Sequence, residues 1–342
     1  MSLSQRIEAS WQRGGMLTSL LLPASVLYAA ASGLYRLVYA SGLRKCQDLP
    51  VPVIVVGNLI VGGAGKTPTV LALLQLLAEQ GVRAGVISRG YGRQGKAVTV
   101  LCSTSTAAQV GDEPLLIQRR AGAPVAVGRD RVAAARALLA AHPQLQLIIS
   151  DDGLQHLALP RALSVWVFDE RGVGNGRLLP AGPMRQALPA RAPAACLVLY
   201  NATAASTALP GYVSRRRLSG AVSLRDWWHG RAASSEHLQG LRGRPLLAAA
   251  GMAQPQRFFG MLEEAGLSIS PLPLTDHHDF AVLPWPPGTP DVVLTEKDAI
   301  KIAPDRAGTT RIWVVALDFQ PEPAFARDLL HALRPHLHTG PV

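Results

Sequence analysis

The sequence predicts an α/β fold in which a mostly parallel sheet is flanked by helices, and two observations support this. From residue 50 onwards, short apolar runs alternate with helical patterns, as they do in successive βαβ units. The chain has 342 residues, of which 48% are hydrophobic, which is enough to bury the core of one large domain or two medium ones. A disordered chain is therefore excluded.

Ten apolar runs are predicted to be the strands of this sheet. Nearly all of them are followed directly by polar residues or glycine. Because ligands bind beyond the carboxyl ends of the strands in an open α/β sheet, these residues are the candidates for a functional site. The predicted strands are 53–56, 82–87, 97–101, 124–127, 145–150, 163–168, 195–200, 245–250, 291–294 and 311–317.

An uncharged apolar run, from Met16 to Tyr35, precedes the first predicted strand. It has the length that a membrane-spanning helix needs, but Pro23 weakens this interpretation. A helix that lies in the membrane interface fits at least as well as a span, and hydropathy alone is equally consistent with a core helix. We predict that this segment is a membrane-associated helix.

The most specific motif is GNLIVGGAGKTPT, from Gly57 to Thr69, which follows the first apolar run. Gly-Lys-Thr after a strand is typical of the phosphate-binding loop of P-loop NTPases, although the usual spacing places a glycine where Ile60 stands. The glycines allow backbone amides to face phosphate oxygens. The residues predicted to bind the nucleotide here are Gly62, Gly63, Ala64, Gly65, Lys66 and Thr67.

Within this loop, two side chains have predicted roles of their own. Lys66 would reach the β- and γ-phosphates, and the hydroxyl of Thr67 would bind Mg²⁺. Asp151 and Asp152 follow a predicted strand, at the place where P-loop enzymes carry their second metal-binding residue. Asp-Asp-Gly is also good turn chemistry, so the metal role depends on the combination with the loop.

Four parts are predicted along the chain. Between about 202 and 244 the alternation of strands and helices lapses, and the alternating stretch from Tyr212 to Leu224 indicates a hairpin-like linker. The parts are a membrane-associated helical segment (1–45), a P-loop core (46–205), a linker with a hairpin (206–244) and a smaller C-terminal α/β lobe (245–342).

Two further groups of charged residues are candidates for chemistry. Asp112 is followed by a helical pattern, where it would cap the helix or act as a general base for an acceptor hydroxyl. In TDHHDF, from Thr275 to Phe280, two adjacent histidines stand between aspartates. This spacing is a poor zinc template, so the alternatives are a solvated loop and a role in proton transfer.

The formal net charge of +11 predicts an anionic partner, such as nucleic acid, anionic lipid or a phosphorylated substrate. The run from Arg215 to Arg217 fits a solvated or membrane-facing surface. No helix-turn-helix or RNA-binding motif accompanies it, so nucleic acid is not a predicted partner. The three cysteines are far apart and show no metal-ligand spacing.

Eight motifs in order along residues 50 to 302 resemble those of the tetraacyldisaccharide 4′-kinase family of lipid A biosynthesis. They are GNLIVGGAGKTP, SRGYGR, VGDEP, GRDR, DDGLQH, GNGRLLPAGPMRQ, TDHHDF and LTEKDAIK. The resemblance implies transfer of the γ-phosphate of ATP, with Mg²⁺, to the 4′-hydroxyl of a lipid A disaccharide 1-phosphate. It also implies action at the anionic, cytoplasmic face of a Gram-negative inner membrane, and we expect a monomer.

The resemblance also implies roles for individual residues. Asp112 matches the family's catalytic aspartate, assisted by a histidine that we place at His277 rather than His278, and Lys66 acts with them. Asn201 and Lys297, after two predicted strands, are further candidates for nucleotide contacts. Family members often carry threonine where Ile60 and Ala64 stand, so a hydroxyl role is not expected at either position. The residues implied to bind the acceptor are Arg129, Gln155, His156, Arg177 and Arg185.

Two other function classes compete with a kinase. Membrane-associated P-loop ATPases of the partitioning or insertion type also contain Gly-Gly-x-Gly-Lys-Thr, but they usually carry a lysine where Val61 stands. A protein that binds a phosphorylated ligand without chemistry has no use for two carboxylates beside the bound anion. The kinase is therefore favoured.

Overall fold

In the computed structural model, the described residues are 7, 10–11, 15–252, 254–276 and 278–337. They contain twelve strands that form one sheet, in the order β10-β9-β11-β12-β8-β7-β6-β1-β5-β2-β4-β3. The strands are β1 (Val53–Gly57), β2 (Ala84–Ser88), β3 (Thr99–Val100), β4 (Val125–Val127), β5 (Leu147–Asp151), β6 (Leu163–Asp169), β7 (Cys196–Asn201), β8 (Tyr212–Ser223), β9 (Pro245–Ala250), β10 (Ser268–Pro273), β11 (Asp291–Thr295) and β12 (Arg311–Pro321).

Helices connect most of these strands, as expected for an α/β fold. Their starts follow ordinary capping chemistry: the side chain of Asp130, for example, accepts hydrogen bonds from the amides of Val132 and Ala133. The helices are α1 (Met16–Leu20), α2 (Leu22–Ala40), α3 (Lys66–Glu79), α4 (Ala107–Val110), α5 (Asp112–Ala121), α6 (Arg131–Ala141), α7 (Leu224–Trp228), α8 (Ser235–Gln239), α9 (Pro255–Glu264), α10 (Glu296–Ala299) and α11 (Pro323–Leu333), and a 3₁₀ turn covers Pro304–Ala307.

The central strands are buried on both faces. All five residues of β1 are buried, with Ile54 and Val56 in one apolar cluster and Val53 and Val55 in another. Successive side chains of a strand point to opposite faces, so the two clusters are the two sides of the sheet. This explains why β1 is a continuous apolar run in the sequence.

The strands are parallel apart from two antiparallel pairs, β3 with β4 and β8 with β12. The long strand β8 joins the two parts of the sheet. Tyr212 and Val213, at its start, pair in parallel with β7, and residues 214–223 pair with β12. The phosphate-loop part and the C-terminal part therefore share one strand.

The predicted α/β fold is confirmed, and all ten predicted strands are present. Two strands differ from the expectation. β10 was not predicted, because Pro271 and Pro273 argue against a strand; β10 forms an edge of the sheet, where proline is tolerated. β8 was assigned to a hairpin, but its ladders are with β7 and β12, and only a single bridge joins Ala221 to Ser234 within the segment. The proposed boundaries of the four parts stay a prediction.

At the N-terminus, α1 and α2 carry the uncharged run. Ser25 is buried, whereas Val26, Leu27 and Leu34 have exposed fractions of 67%, 73% and 63%. In the part of the chain that the structure describes, no helix combines the length and the apolar character that crossing a membrane requires.

Candidate active site

The phosphate loop connects β1 to α3 and ends at Gly65. Gly62 and Gly65 have positive φ angles of 97° and 85°, which favour glycine. A side chain on Gly65 would also collide with Asn201 and with the ring of Phe319. Gly65 is therefore required both by its backbone conformation and by the lack of space.

The first half of the loop is extended. Ile60 is buried and forms an antiparallel bridge with Met184. Next to it, the amide of Val61 donates to the carbonyl of Pro183 at 2.8 Å. The curved part of the loop therefore begins only at Gly62. This explains how an isoleucine can stand where the usual spacing has its first glycine.

Polar side chains hold the second half of the loop from behind. The side-chain amide of Asn58 donates to the Gly62 carbonyl at 3.1 Å, and the guanidinium of Arg171 donates to the Gly63 carbonyl at 3.0 Å. Asn201, which is buried, donates to the Ala64 carbonyl at 2.8 Å. Asn201 thus supports the loop, and its contact with the nucleotide stays a prediction.

Lys66 is the first residue of α3, and its ammonium lies between two side chains. Its Nζ is 3.3 Å from Oδ1 of Asn58 and 3.9 Å from Oδ2 of Asp152. Asp152 has a positive φ of 51° and pairs with Arg185, whose Nη1 lies 2.8 Å from its Oδ1. Burial opposes ionisation of Asp152, but the charges of Lys66 and Arg185 prevail and lower its pKa.

Asp151, at the end of β5, is 1% exposed. Burial, followed by the negative charge of Glu113, raises the pKa of Asp151 to about 7, against the opposing charge of Lys66. The hydroxyl of Ser88 lies 3.4 Å from its Oδ2, and its Oδ1 is buried without a hydrogen-bond partner. An orphaned, buried carboxylate oxygen of this kind fits a cation ligand.

The described residues contain no group of three or more His, Cys, Asp or Glu that would hold a metal on its own. Mg²⁺ usually needs only one or two carboxylates, together with waters and substrate phosphates. Asp151 and the hydroxyl of Thr67, which is also buried, fit this pattern. Asp152 is committed to Lys66 and Arg185.

Asp112 is the first residue of α5, but it does not cap the helix as one of the two interpretations expected. The N-cap position is Gly111, and no side chain caps this end. The carboxylate of Asp112 instead pairs with Lys301, with 3.2 Å between Oδ2 and Nζ. His277 lies outside the described residues, so its predicted partnership with Asp112 stays a prediction.

A cavity of about 200 Å³ lies beside the phosphate loop. Lys66 and Thr67 line one side of it, and α5, α9 and α10 line the others. The lining of the cavity is largely apolar and includes Phe258, Met261 and Phe319. Such a surface suits a flat aromatic base that is continuous with a phosphate site.

Lys297 also lines this cavity. Its Nζ is 2.8 Å from Oδ1 of Asp276 and 4.0 Å from Oε1 of Glu113. Although burial opposes the charge, Glu113 and Asp276 raise the pKa of Lys297. A second charged lysine besides Lys66 therefore lines the cavity.

Of the five residues implied to bind the acceptor, the structure brings two to the loop. Gln155 and Arg185 contact each other at 3.1 Å, and Arg185 also pairs with Asp152. Among the others, the His156 ring lies 3.8 Å from the Asp130 carboxylate, and the exposed residues are Arg129 and Arg177.

Several residues at the site have contacts that the sequence did not assign to them. Asn58 directly follows β1 and Arg171 lies two residues after the end of β6, so the strand-end rule was sufficient to find them. Lys301 and Phe319 reach the site from distant parts of the chain. Lys301 ends the LTEKDAIK motif, but the motif does not name its partner, and no local pattern marks Phe319, because both contacts depend on the packing of β12 and α10.

Comparison with known proteins identifies the family of the chain. A family model described as Tetraacyldisaccharide-1-P 4′-kinase (LpxK) matches residues 17–334. The chain is 53% identical to the Tetraacyldisaccharide 4′-kinase of Methylibium petroleiphilum, over 95% of this chain and 92% of that protein. It is 51% identical to the protein of the same name from Leptothrix cholodnii, over 97% of this chain and 96% of that one.

Among solved structures, the chain is similar to the crystal structure of the "apo" form of LpxK from Aquifex aeolicus in complex with ATP. The TM-score is 0.77 at 26% identity, and the likeness covers 94% of this chain and 100% of that one. The family model and the near-complete coverage of relatives above 50% identity lead to one conclusion: the chain belongs to the tetraacyldisaccharide 4′-kinase family.

Proposed function

We propose that this chain transfers the γ-phosphate of ATP to the 4′-hydroxyl of a tetraacyldisaccharide 1-phosphate, a lipid A precursor. Family membership supports the reaction. The observation that carries the proposal for this site is that Lys66, of the phosphate loop, and Glu113, next to the candidate base Asp112, line one cavity. This arrangement supports placing the phosphoryl donor and the proton acceptor on the neighbouring helices α3 and α5.

In the proposed reaction the acceptor's 4′-oxygen forms a bond to the γ-phosphorus, and the bond from that phosphorus to the β,γ-bridging oxygen breaks. ADP leaves with the bonding electron pair, and the proton of the hydroxyl passes to Asp112. Phosphoryl transfer asks little covalent chemistry of a protein, so most of the rate comes from positioning and charge neutralisation. Lys66 and the loop amides from Gly62 to Thr67 supply these.

The carboxylate of Asp112 is held by Lys301, and this lysine has a second partner. The Nζ atom of Lys301 also lies 3.7 Å from Oδ1 of Asp298. When Asp112 becomes neutral, Lys301 therefore keeps a carboxylate partner. His277 is proposed to share or orient this proton transfer.

Mg²⁺ is proposed as the metal, held by Thr67 and Asp151. It would neutralise charge on the β- and γ-phosphates. The pKa of Asp151, raised to about 7 by burial and by Glu113, supports this assignment, because a nearby cation favours the ionised form of a buried carboxyl. Asp152 is proposed to orient Lys66 and Arg185.

The exposed apolar side of α2 is proposed to lie in the anionic inner-membrane surface, at its cytoplasmic face. Val26, Leu27 and Leu34 would enter the acyl region, which suits an enzyme that acts on a multiply acylated lipid. Replacing Leu27 by Asp should weaken cosedimentation with anionic vesicles. Val282→Asp is the matched control, because Val282 is similarly exposed but distant in sequence. Equal binding of both variants would contradict the proposal.

One assay tests the reaction itself: labelled ATP, Mg²⁺ and lipid A disaccharide 1-phosphate in detergent micelles. We expect label in the lipid, and we expect Lys66→Ala to abolish it while Lys96→Ala, on an exposed loop, does not. ATP hydrolysis that is indifferent to the lipid would instead indicate a partitioning-type ATPase. Absence of turnover with bound ATP would indicate a binding protein.

A further inference from the structure

The segment from Leu178 to Arg185, which we call the brace, lies between the phosphate loop and helix α2. On the loop side its backbone pairs with residues 59–61. The amide of Arg185 donates to the Leu59 carbonyl at 2.7 Å, and Ile60 forms a bridge with Met184. The extended half of the phosphate loop is thus one edge of a small sheet-like contact with the brace.

On the other side, the brace is held by two hydroxyls of α2. Ser25 donates to the Leu178 carbonyl at 2.9 Å and accepts from the Ala181 amide at 2.9 Å. Three residues later, on the same side of the helix, Tyr28 donates to the Arg185 carbonyl at 2.8 Å. One face of α2 therefore contacts the brace, while the apolar residues Val26, Leu27 and Leu34 of the same helix remain exposed.

The brace has little freedom to deform between these contacts. Asn175, which precedes the brace, holds it in place: its side-chain nitrogen donates to the Ala181 carbonyl at 2.9 Å, and its side-chain oxygen accepts from the Arg177 backbone amide at 3.1 Å. At Gly182 even a methyl group would collide with the Arg177 carbonyl. A displacement of α2 is therefore transmitted through the brace rather than absorbed by it.

The brace also ends in a side chain of the site. Arg185 pairs with Asp152 at 2.8 Å, and Asp152 lies 3.9 Å from Lys66. The Tyr28 hydroxyl is bonded to the backbone carbonyl of this same arginine. From α2 to the phosphate-binding lysine there are thus only two intervening residues.

We propose that Ser25 and Tyr28 are positioning residues for phosphoryl transfer. By fixing the brace, they set the path of the phosphate loop at residues 59–61 and the placement of Arg185 beside Asp152. The helix with the exposed apolar side is in this way part of the active-site scaffold, in addition to any role in attachment. This inference rests on the proposed kinase function.

The test compares two serine-to-alanine variants of α2 in the full-length protein, assayed in detergent micelles. Ser25→Ala removes both contacts with the brace, whereas Ser32→Ala removes a bond to Ala29 within the helix. We expect Ser25→Ala to lower kcat roughly 5- to 10-fold, because a buried amide and a carbonyl lose their partner. Its KM for the lipid and its cosedimentation with vesicles should be unchanged, and Ser32→Ala should match the wild type.

A second readout, the affinity for a fluorescent ATP analogue, does not need the acceptor. Ser25→Ala and Tyr28→Phe should both weaken this affinity. If Ser25→Ala unfolds below the assay temperature, Tyr28→Phe alone still tests the inference. Wild-type kcat and ATP affinity in both variants would overturn the inference, as would a loss of activity that follows vesicle binding alone. If the wild type does not phosphorylate the lipid, the proposed function fails, while the ATP-analogue measurement still decides on the brace.

Discussion

Lys301 and Asp112 form a largely buried ion pair, with Nζ 3.2 Å from Oδ2 and side-chain exposures of 6% and 17%. The pair joins the first residue of α5 to the end of the LTEKDAIK motif. Lys301 also donates to the backbone carbonyl of His278 at 3.0 Å. The candidate base is therefore fixed by the same lysine that contacts the segment carrying the histidines.

Replacement of Lys301 by Met should lower kcat roughly 10- to 100-fold, because a general base that is no longer oriented loses much of its effect. The KM for ATP should change little, since the lysine contacts the base rather than the phosphate loop. Lys301→Arg, which retains the charge, should recover a large part of the rate. Steady-state kinetics of the three proteins check this, and wild-type kcat in a folded Lys301→Met variant would contradict it.

Asp151→Asn should make the protein more stable and inactive. The pKa of Asp151 is raised to about 7 by burial and by Glu113, from the ordinary value of 3.8. Between these values the folded state holds a proton that the unfolded state has lost, so stability falls as pH rises from about 4 to 7. Asp151→Asn does not undergo this fall in stability. Its free energy of unfolding should exceed that of the wild type by about 2–4 kcal/mol above pH 7, and the difference should vanish near pH 4.

Urea denaturation at pH 5 and pH 8, without Mg²⁺ or nucleotide, measures the stability of Asp151→Asn. Asp152→Asn is the matched control, because its pKa is lowered rather than raised and it should lose stability at pH 8. An equal stability difference at both pH values would show that Asp151 does not titrate in this range.

Ile60→Gly restores the glycine of the usual loop spacing, but it should destabilise the protein. Ile60 is 1% exposed and pairs with Met184, so the variant loses a buried side chain and gains backbone entropy in the unfolded state. The expected loss is about 3–5 kcal/mol, against about 1 kcal/mol for Ile60→Val. Urea unfolding curves compare the two, and a glycine variant within about 1 kcal/mol of wild type would exclude a packing role.

Arg120→Met should destabilise the contact between α5 and the C-terminal part of the chain. Arg120 pairs with Glu296 and Asp318, and Trp227 donates to Glu296 at 3.2 Å. Burial raises the pKa of Glu296 even with Arg120 beside it. Without the arginine a buried charge remains uncompensated, so we expect a loss of about 3–5 kcal/mol.

The loss of stability in Arg120→Met should be larger at pH 8 than at pH 5. Burial raises the pKa of Glu296, so the folded state is more stable when Glu296 is protonated than when it is ionised. The double variant Arg120→Met/Glu296→Gln should recover most of the stability, since no charge is then left buried. Denaturation of the single and double variants at both pH values checks this. A double variant no more stable than the single one would refute the explanation.

Local patterns were sufficient to predict most of the fold. Apolar runs mark buried parallel strands, and the residues that follow them include Asn58, Asp151 and Arg171 of the site. Glycine chemistry and the Gly-Lys-Thr order located the phosphate loop. The prolines of β10 masked a strand, because only its edge position makes them acceptable.

Contacts between distant segments were not predictable. The pairing of β8 with β12 joins two strands that are distant in sequence. An alternating pattern predicts a strand, but it does not predict which other strand pairs with it. Lys301 and Phe319 reach the site through this packing. The packing role of Ile60 was not predictable either, because it depends on a bridge to Met184, which is distant in sequence.

The contact of Gly65 with Phe319 has a consequence for how the molecule is synthesised. The ring of Phe319 belongs to β12, near the C-terminus, yet it lies where a side chain on Gly65 would stand. The phosphate loop emerges early from the ribosome but meets its final neighbours only after β12 has followed. The nucleotide site is thus among the last parts of the protein to be completed during translation, although its defining motif is among the first to be made.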